Sequence, residues 1–206
     1  MWNQVSTSPD FDMLVGSGVP ASERRELPPF DAVELAGSNQ VTIRSGGEQS
    51  VVVHADDNLL DRVTTRVSNG TLVIGNEAGG FTTRNPIRVD VVVPSVNELT
   101  LSGSGTIDAA GIDVDELTVA LSGSGAVSAS GRAQRIDVEL NGSGDVQLHD
   151  LVARDVRATM SGTGRIAVHA TDSLEAAVPG TGSIVCTGSP SQVRKSVTGV
   201  GSVTSR

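Results

Sequence analysis

Aliphatic residues alternate with polar or small residues in short runs along most of the chain, and a glycine-containing phrase separates the runs in the C-terminal half. When positions are counted from the first glycine of each phrase, −4, −2, +4 and +6 are mostly aliphatic and the positions between them are not. Alternation with a period of two is typical of a strand with one buried face. Each repeat is therefore predicted to contain two strands joined at a corner by the glycine phrase.

The glycine phrase recurs six times, with first glycines at intervals of 20, 19, 20, 18 and 19 residues. A constant period of this size is typical of stacked-repeat proteins, in which one repeat cannot bury its apolar side alone. Two glycines per corner indicate a sharp bend with positive φ angles. An earlier, imperfect copy has Asn39 as its second corner residue, and asparagine tolerates left-handed backbone. The predicted structural corner glycines are Gly103, Gly105, Gly123, Gly125, Gly142, Gly144, Gly162, Gly164, Gly180, Gly182, Gly199 and Gly201.

We therefore expect an all-β fold, a single-stranded parallel β-helix or solenoid with about 18–20 residues per rung. It should be right-handed, because parallel crossovers almost always are. Residues 95–206 are predicted to form the regular Gly-Ser-Gly rungs, and residues 23–94 an irregular N-terminal β layer of the same domain. That layer should contain one hairpin, because Asn69-Gly70 is a strong turn signal. Residues 1–22 are interpreted as a leader remnant or linker.

Composition narrows the choice of partners. The formal net charge of −9 argues against nucleic acid, and an aromatic content of 2% leaves little for stacking against bases or sugars. No apolar stretch approaches the ~20 residues of a membrane span, and the first residues lack the order of a signal peptide. The single cysteine, Cys186, excludes an internal disulfide framework and is interpreted as a buried structural thiol. No cofactor is expected.

Position −5 is predicted to point outward and carries charges of alternating sign in four successive repeats: Asp137, Arg157, Glu175 and Arg194. One interpretation is a charged recognition stripe. The other is a cross-rung ladder of ion pairs that fixes the register, in which each exposed pair contributes about 0–1 kcal/mol. The second interpretation is favoured.

Two histidines, His149 and His169, share position +7 in adjacent repeats and are expected to lie side by side. With Asp150 or Asp172 nearby, they are weak candidates for a transition-metal site. The pattern supplies no third ligand, so two solvated histidines are the favoured interpretation and no metal site is predicted.

No catalytic residues are predicted. A polysaccharide lyase or hydrolase needs acids and bases that converge on one face, whereas the outward acids Asp108, Glu139 and Asp145 are scattered among small residues.

Three features together resemble one bacterial family: Phe30-Asp-Ala-Val-Glu-Leu35, Asn69-Gly-Thr-Leu-Val-Ile74 and the serial Gly-Ser-Gly phrases. The family is called "putative auto-transporter adhesin, head GIN domain", and the resemblance extends from about residue 23 to residue 206. It implies an exported β-helical protein that is lipid-anchored, periplasmic or on the cell surface, and it brings no catalytic residues to transfer.

The expected function is therefore that of a non-enzymatic exported β-solenoid, a surface scaffold or adhesin-like binding module. Its partner would be a cell-surface polymer or protein, with no nucleic acid involved. Two alternatives stay open: a carbohydrate-active enzyme on the same scaffold, and a structural protein that self-assembles through the unpaired strand edges at the ends of the stack.

Overall fold

The computed structural model describes residues 13–205, and almost all of its regular structure is β-strand. One 3-10 helix, Asp57–Arg62, follows the fifth strand. The strands in chain order are β1 Leu14–Val15, β2 Pro20–Arg25, β3 Ala32–Leu35, β4 Gln40–Ser45, β5 Ser50–Asp56, β6 Val63–Ser68, β7 Thr71–Asn76, β8 Phe81–Thr82, β9 Arg88–Val93, β10 Glu98–Leu101, β11 Thr106–Leu121, β12 Ala126–Leu140, β13 Asp145–Met160, β14 Thr163–Val178, β15 Thr181–Thr187, β16 Gln192–Val197 and β17 Ser202–Ser205.

Strands β10 to β17 stack as parallel rungs, and equivalent residues of successive repeats are strand partners. Leu101 pairs with Leu121, Leu121 with Leu140, and Leu140 with Met160. The inward positions of these rungs are buried as far as Cys186, which pairs with Val168. The predicted parallel solenoid is confirmed, and its core is a set of aliphatic ladders that run along the axis.

The corner glycines are required by the rung spacing and not by positive φ. Of the twelve, Gly164 alone has φ between +20° and +160°. A Cβ on Gly123 would lie 1.7 Å from the carbonyl oxygen of Gly103, which accepts a hydrogen bond from the Ser124 N–H at 3.1 Å. A Cβ on Gly142 would lie 1.9 Å from the Gly123 oxygen. The expectation of left-handed corners was wrong, because neighbouring backbones approach too closely for any side chain.

The expectation for Asn39 was also wrong. Within residues 13–205, Asn69 is the one non-glycine residue with positive φ. Asn39 is buried, and its Nδ2 donates to Asn76 Oδ1 at 3.1 Å. In the neighbouring layer, the Asn76 side chain lies next to Asn39 at the position where a regular corner meets a glycine carbonyl. The corner at Asn39 therefore has room for a side chain. At the next corner, a Cβ on Gly105 would meet the Asn39 carbonyl at 2.2 Å.

A second corner lies inside each rung, and sequence analysis did not predict it. In β11 the pairing register shifts between Ala109 and Ile112. Gly111 between them has φ of +77°, and a Cβ there would lie 2.9 Å from the Ser45 carbonyl oxygen. Here glycine is needed both for its left-handed backbone and for the close approach of the preceding rung.

The N-terminal layer continues the same ladders. Strand β3 pairs in parallel with β10 and β7, while β4 pairs in parallel with β11 and β9. The predicted hairpin is present as antiparallel β6 and β7, and β5 pairs antiparallel with both β9 and β2. One hydrophobic core runs from Phe30 to Cys186. The parallel stack is thus completed at this end by antiparallel strands.

Ordered pairing begins ahead of the predicted boundary at residue 23. Strand β1 pairs with β8, and β2 pairs with β5 from Pro20 onward. β1 is only two residues long and β2 contains no aliphatic alternation, so the pattern of the sequence could not reveal them, although Leu14 packs against the core. The remainder of the predicted leader or linker, residues 1–12, lies outside the described residues.

At the C-terminal end, no strand within residues 13–205 pairs with the outer edge of β16 or β17. Val193, Val197 and Val200 are exposed there. Lys195 occupies position −4, which is aliphatic in the other repeats, and its Nζ donates to the Val203 carbonyl at 3.3 Å. A charge at an inward position is a known protection of an open sheet edge. Lys195 therefore places a charge on this unpaired edge of the sheet.

Candidate binding surface

One exposed face of the regular rungs carries two parallel rows of polar side chains, which we call the charged face. The second row is the predicted ladder at position −5. The first row lies two residues upstream in each rung, at position −7, and its side chains point to the same side because strands alternate with a period of two. Residues between the rows, such as Ile136 and Val156, are buried. The first row consists of Glu116, Arg135, Asp155 and Ser173.

The register places the members of each row on consecutive rungs. In the first row, Glu116 pairs with Arg135, which pairs with Asp155, which pairs with Ser173. In the second row the order is Asp137, Arg157, Glu175 and Arg194. Rungs of a sheet lie about 4.8 Å apart. Charge therefore alternates along the second row and along the three charged members of the first row. In two rungs a first-row charge stands beside an opposite second-row charge, namely Arg135 beside Asp137 and Asp155 beside Arg157.

The favoured ion-pair interpretation of the second row does not match the geometry. Within residues 13–205, none of the ion pairs at 4.0 Å or less joins two members of that row. Side chains at paired positions of adjacent strands project from the sheet in the same direction. Their Cβ atoms are therefore close, but their charged groups need not be in contact. In the first row, Glu116 Oε1 lies 3.9 Å from Arg135 Nη1, and the Ser173 hydroxyl donates to Asp155.

A shallow groove of about 360 Å³ runs between the two rows and is lined by members of both. Arg157 and Glu175 are exposed, whereas Asp137 is half-buried. Because the second-row charges are not paired within their row, they remain available to groups outside the chain. The arrangement suits a partner that carries charges at a regular spacing.

Close ion pairs form instead near the second corner, where the sequence analysis had not placed any. Arg132 donates two hydrogen bonds to Asp113, both at 3.1 Å, and these bonds raise the pKa of Arg132. Arg154 donates from Nη2 to Asp172 at 2.9 Å and lowers the pKa of that carboxyl. Both pairs link adjacent rungs, which is the register-fixing role that had been assigned to the second row.

The histidines are not strand partners. The register passes from Leu148–Val168 directly to Val152–His169, so His149 lies in a bulge of β13. Its Nε2 is 3.2 Å from Asp150 Oδ2. The expected side-by-side placement was therefore wrong, because this rung is longer than the next. Among residues 13–205, no three His, Cys, Asp or Glu side chains are grouped to hold a metal ion.

A polar cluster around Asp56 was also missed. Asp56 is fully buried, and it accepts hydrogen bonds from Asn85 Nδ2 at 2.6 Å and Thr83 Oγ1 at 2.8 Å. The bond from Asn85 is the largest influence and lowers the pKa of Asp56; burial opposes it, while Thr83 and the Gly18 N–H act with it. The cluster ties the segment before β2 and the loop after β8 to the end of β5, and its role is structural.

Carboxylates on the charged face alternate with arginines along each row. Glycoside hydrolysis uses two carboxyl groups that flank the scissile bond, one of them kept protonated by its surroundings. On the charged face each carboxylate instead has an arginine as a neighbour along its row.

The fold and this face define a β-solenoid scaffold whose distinguishing surface is a flat array of alternating charges. The chain belongs to the family described as "Putative auto-transporter adhesin, head GIN domain", which it matches over residues 29–190. No curated protein sequence matches it. No helix between residues 13 and 205 has the length and apolar character of a membrane span.

Solved structures share the fold along almost the whole chain. A putative adhesin from Bacteroides fragilis is 22% identical, with a TM-score of 0.74 over 94% of this chain and 100% of that one. A putative lipid binding protein from Parabacteroides distasonis is 22% identical, with a TM-score of 0.59 over 94% and 99%. A putative adhesin from Parabacteroides merdae is 18% identical, with a TM-score of 0.54 over 95% and 99%. At these identities the likeness shows the fold alone.

Proposed function

We propose that this chain is an exported, non-enzymatic β-solenoid that acts as an adhesin-like binding module, with the charged face as its contact surface. Membership of a family described as adhesins supports the class of function and an exported location. The observation that carries the choice of surface is the second row, whose charges lie in register on consecutive rungs without forming ion pairs along the row.

A solenoid face suits this role because its charges are held in advance. The strands beneath the face are hydrogen-bonded to both neighbours, and the side chains between the rows are buried. A partner therefore does not have to order this backbone on binding, and preorganisation lowers the cost of association. Opposite charges also give specificity, since a misaligned partner would bring like charges together.

Retention of the purified chain on cells of the encoding bacterium tests the proposal. We expect retention above that of an unrelated folded protein, and a loss of retention for Arg157→Glu. Arg66→Glu is the matched control, because Arg66 is an exposed arginine on the edge strand β6, six strands along the sheet from the strand β13 that carries Arg157. It changes the net charge by the same amount and should be retained like the natural chain. Equal retention of both variants would refute the charged face as the contact surface.

A further inference from the structure

We propose that the partner of the charged face is a second copy of this chain, bound face to face with its solenoid axis antiparallel. This inference rests on the proposed function, because it takes the charged face as the contact surface and names what that surface contacts. The supporting observation is charge complementarity between the second row and the same row in reverse order.

Along the axis, the second row reads negative, positive, negative, positive, from Asp137 through Arg157 and Glu175 to Arg194. In reverse order it reads positive, negative, positive, negative. Consider a two-fold axis that runs parallel to the strands, lies in the plane where the two copies meet, and passes midway between the rungs of Arg157 and Glu175. This axis reverses the order of the rungs and places each row of one copy opposite the same row of the other copy. Asp137 then faces Arg194 of the second copy, and Arg157 faces Glu175. Symmetry repeats both contacts, so every member of the row gains an opposite charge.

The neighbouring positions accept this arrangement without bringing like charges together. In the first row, Asp155 faces Ser173 of the second copy, and Arg135 faces Gln192, which is the strand partner of Ser173. On the other side of the second row, at position −3, Glu139 faces Ser196. The other two residues at this position on the same rungs are Thr159 and Ala177. Because their side chains are short, the second rows of the two copies can approach each other. Closed two-fold pairs with self-complementary surfaces are the commonest protein assemblies.

The charge of the whole chain also favours this face for self-contact. The chain carries a formal net charge of −9, so two copies repel each other over most of their surface. The second row contains two carboxylates and two guanidinium groups, so its own net charge is zero. At the C-terminal edge of the described chain, Lys195 places a charge at an inward position, which disfavours association through that edge. Exposed ion pairs are individually weak, so pairing should become significant where copies are concentrated, as on a surface.

Sedimentation equilibrium over a concentration series at low ionic strength tests the proposal on the full chain. We expect concentration-dependent dimers that weaken in high salt, because exposed charges are screened. Arg157→Glu and Glu175→Arg should each raise the dissociation constant about tenfold or more, which corresponds to about 1.4 kcal/mol. The double variant with both changes should return to within about threefold of the natural chain, because it exchanges the two charges of one contact.

The double variant also tests the register. If the two-fold axis instead ran along the solenoid and exchanged the rows, Arg157 would face Asp155, and the exchange of charges would place two carboxylates together. Recovery of dimerisation therefore supports the antiparallel arrangement. Arg66→Glu is again the control and should dimerise like the natural chain. Far-UV circular dichroism establishes that each variant keeps the fold.

A natural chain that stays monomeric through the series would overturn the inference, as would a double variant no tighter than the single ones. If self-association is absent while retention on cells still depends on Arg157, the charged face binds another molecule, and the proposed function survives. If retention is insensitive to Arg157, the proposed function fails whatever the sedimentation result.

Discussion

The regular rungs and the N-terminal layer bury different kinds of side chain. Between residues 95 and 205 the buried side chains are aliphatic, apart from Met160 and Cys186. The two buried polar residues of the described chain, Asn39 and Asp56, both lie in the N-terminal layer. A rung inside the stack is covered on both sides by similar rungs. Alternating aliphatic residues and glycine corners are therefore sufficient to bury its inner face. The last layer has no copy beyond it, and individual polar contacts complete it.

The largest effect should come from adding one methyl group inside the regular stack. We expect Gly123→Ala to lower the free energy of unfolding by more than about 3 kcal/mol, because the new Cβ would lie 1.7 Å from a backbone oxygen that cannot move away alone. Urea unfolding followed by far-UV circular dichroism measures it. Gly80→Ala is the matched control in the N-terminal layer, where the new Cβ would have 3.7 Å to its nearest neighbour. Equal stability of the two variants would refute the steric account of the corners.

A smaller effect should separate the middle of the stack from its open end. Leu140→Ala removes a fully buried side chain between two rungs and should cost about 3 kcal/mol in the same unfolding experiment. Val197→Ala, at the same repeat position in the last rung, should cost less than about 0.5 kcal/mol because Val197 is 44% exposed. Similar losses at both positions would mean that the last rung is covered in solution.

A third effect, which depends on pH, should come from Asp56→Asn in the N-terminal layer, a change that keeps the size and shape of the side chain. Asparagine presents an amide to donors that now bond a carboxylate, so stability near neutral pH should fall. The lowered pKa of Asp56 sets the sign of the pH dependence. Its stabilising contribution is complete above the usual carboxyl pKa of about 4 and is lost as the pH falls through the folded-state pKa.

The unfolding free energy of the natural chain should therefore decline more steeply in acid than that of Asp56→Asn. The two chains should differ most above pH 4 and converge below it. Parallel stability curves across that range would show that Asp56 contributes no ionisation-linked stability.

The sequence predicted the regular rungs better than the N-terminal layer. Leu121, Leu140 and Met160 could be placed on one ladder because repetition makes their environment identical. The hydrogen bonds to Asp56 come from Thr83 and Asn85, far along the chain, and no periodicity reports such contacts.

Counting positions from the first glycine of each repeat explains one wrong prediction about the surface and one surface feature that was not predicted. The interval from Gly142 to Gly162 is 20 residues and the next is 18, so a count from the glycine loses register by the far corner. His149 and His169 were misplaced for that reason. The first row could have been found, because position −7 repeats Glu116, Arg135 and Asp155 as regularly as position −5 repeats the second row.

Lys195 has a consequence for how proteins of this architecture can change in length. Within residues 13–205, Lys195 lies in the final rung and the antiparallel strands lie at the opposite end, so neither feature depends on how many units lie between them. Duplicating one internal unit of about 19 residues would extend the molecule by about 4.8 Å and leave both termini of the stack intact. The length of the solenoid can therefore change by whole repeat units without a change in the sequence of either end.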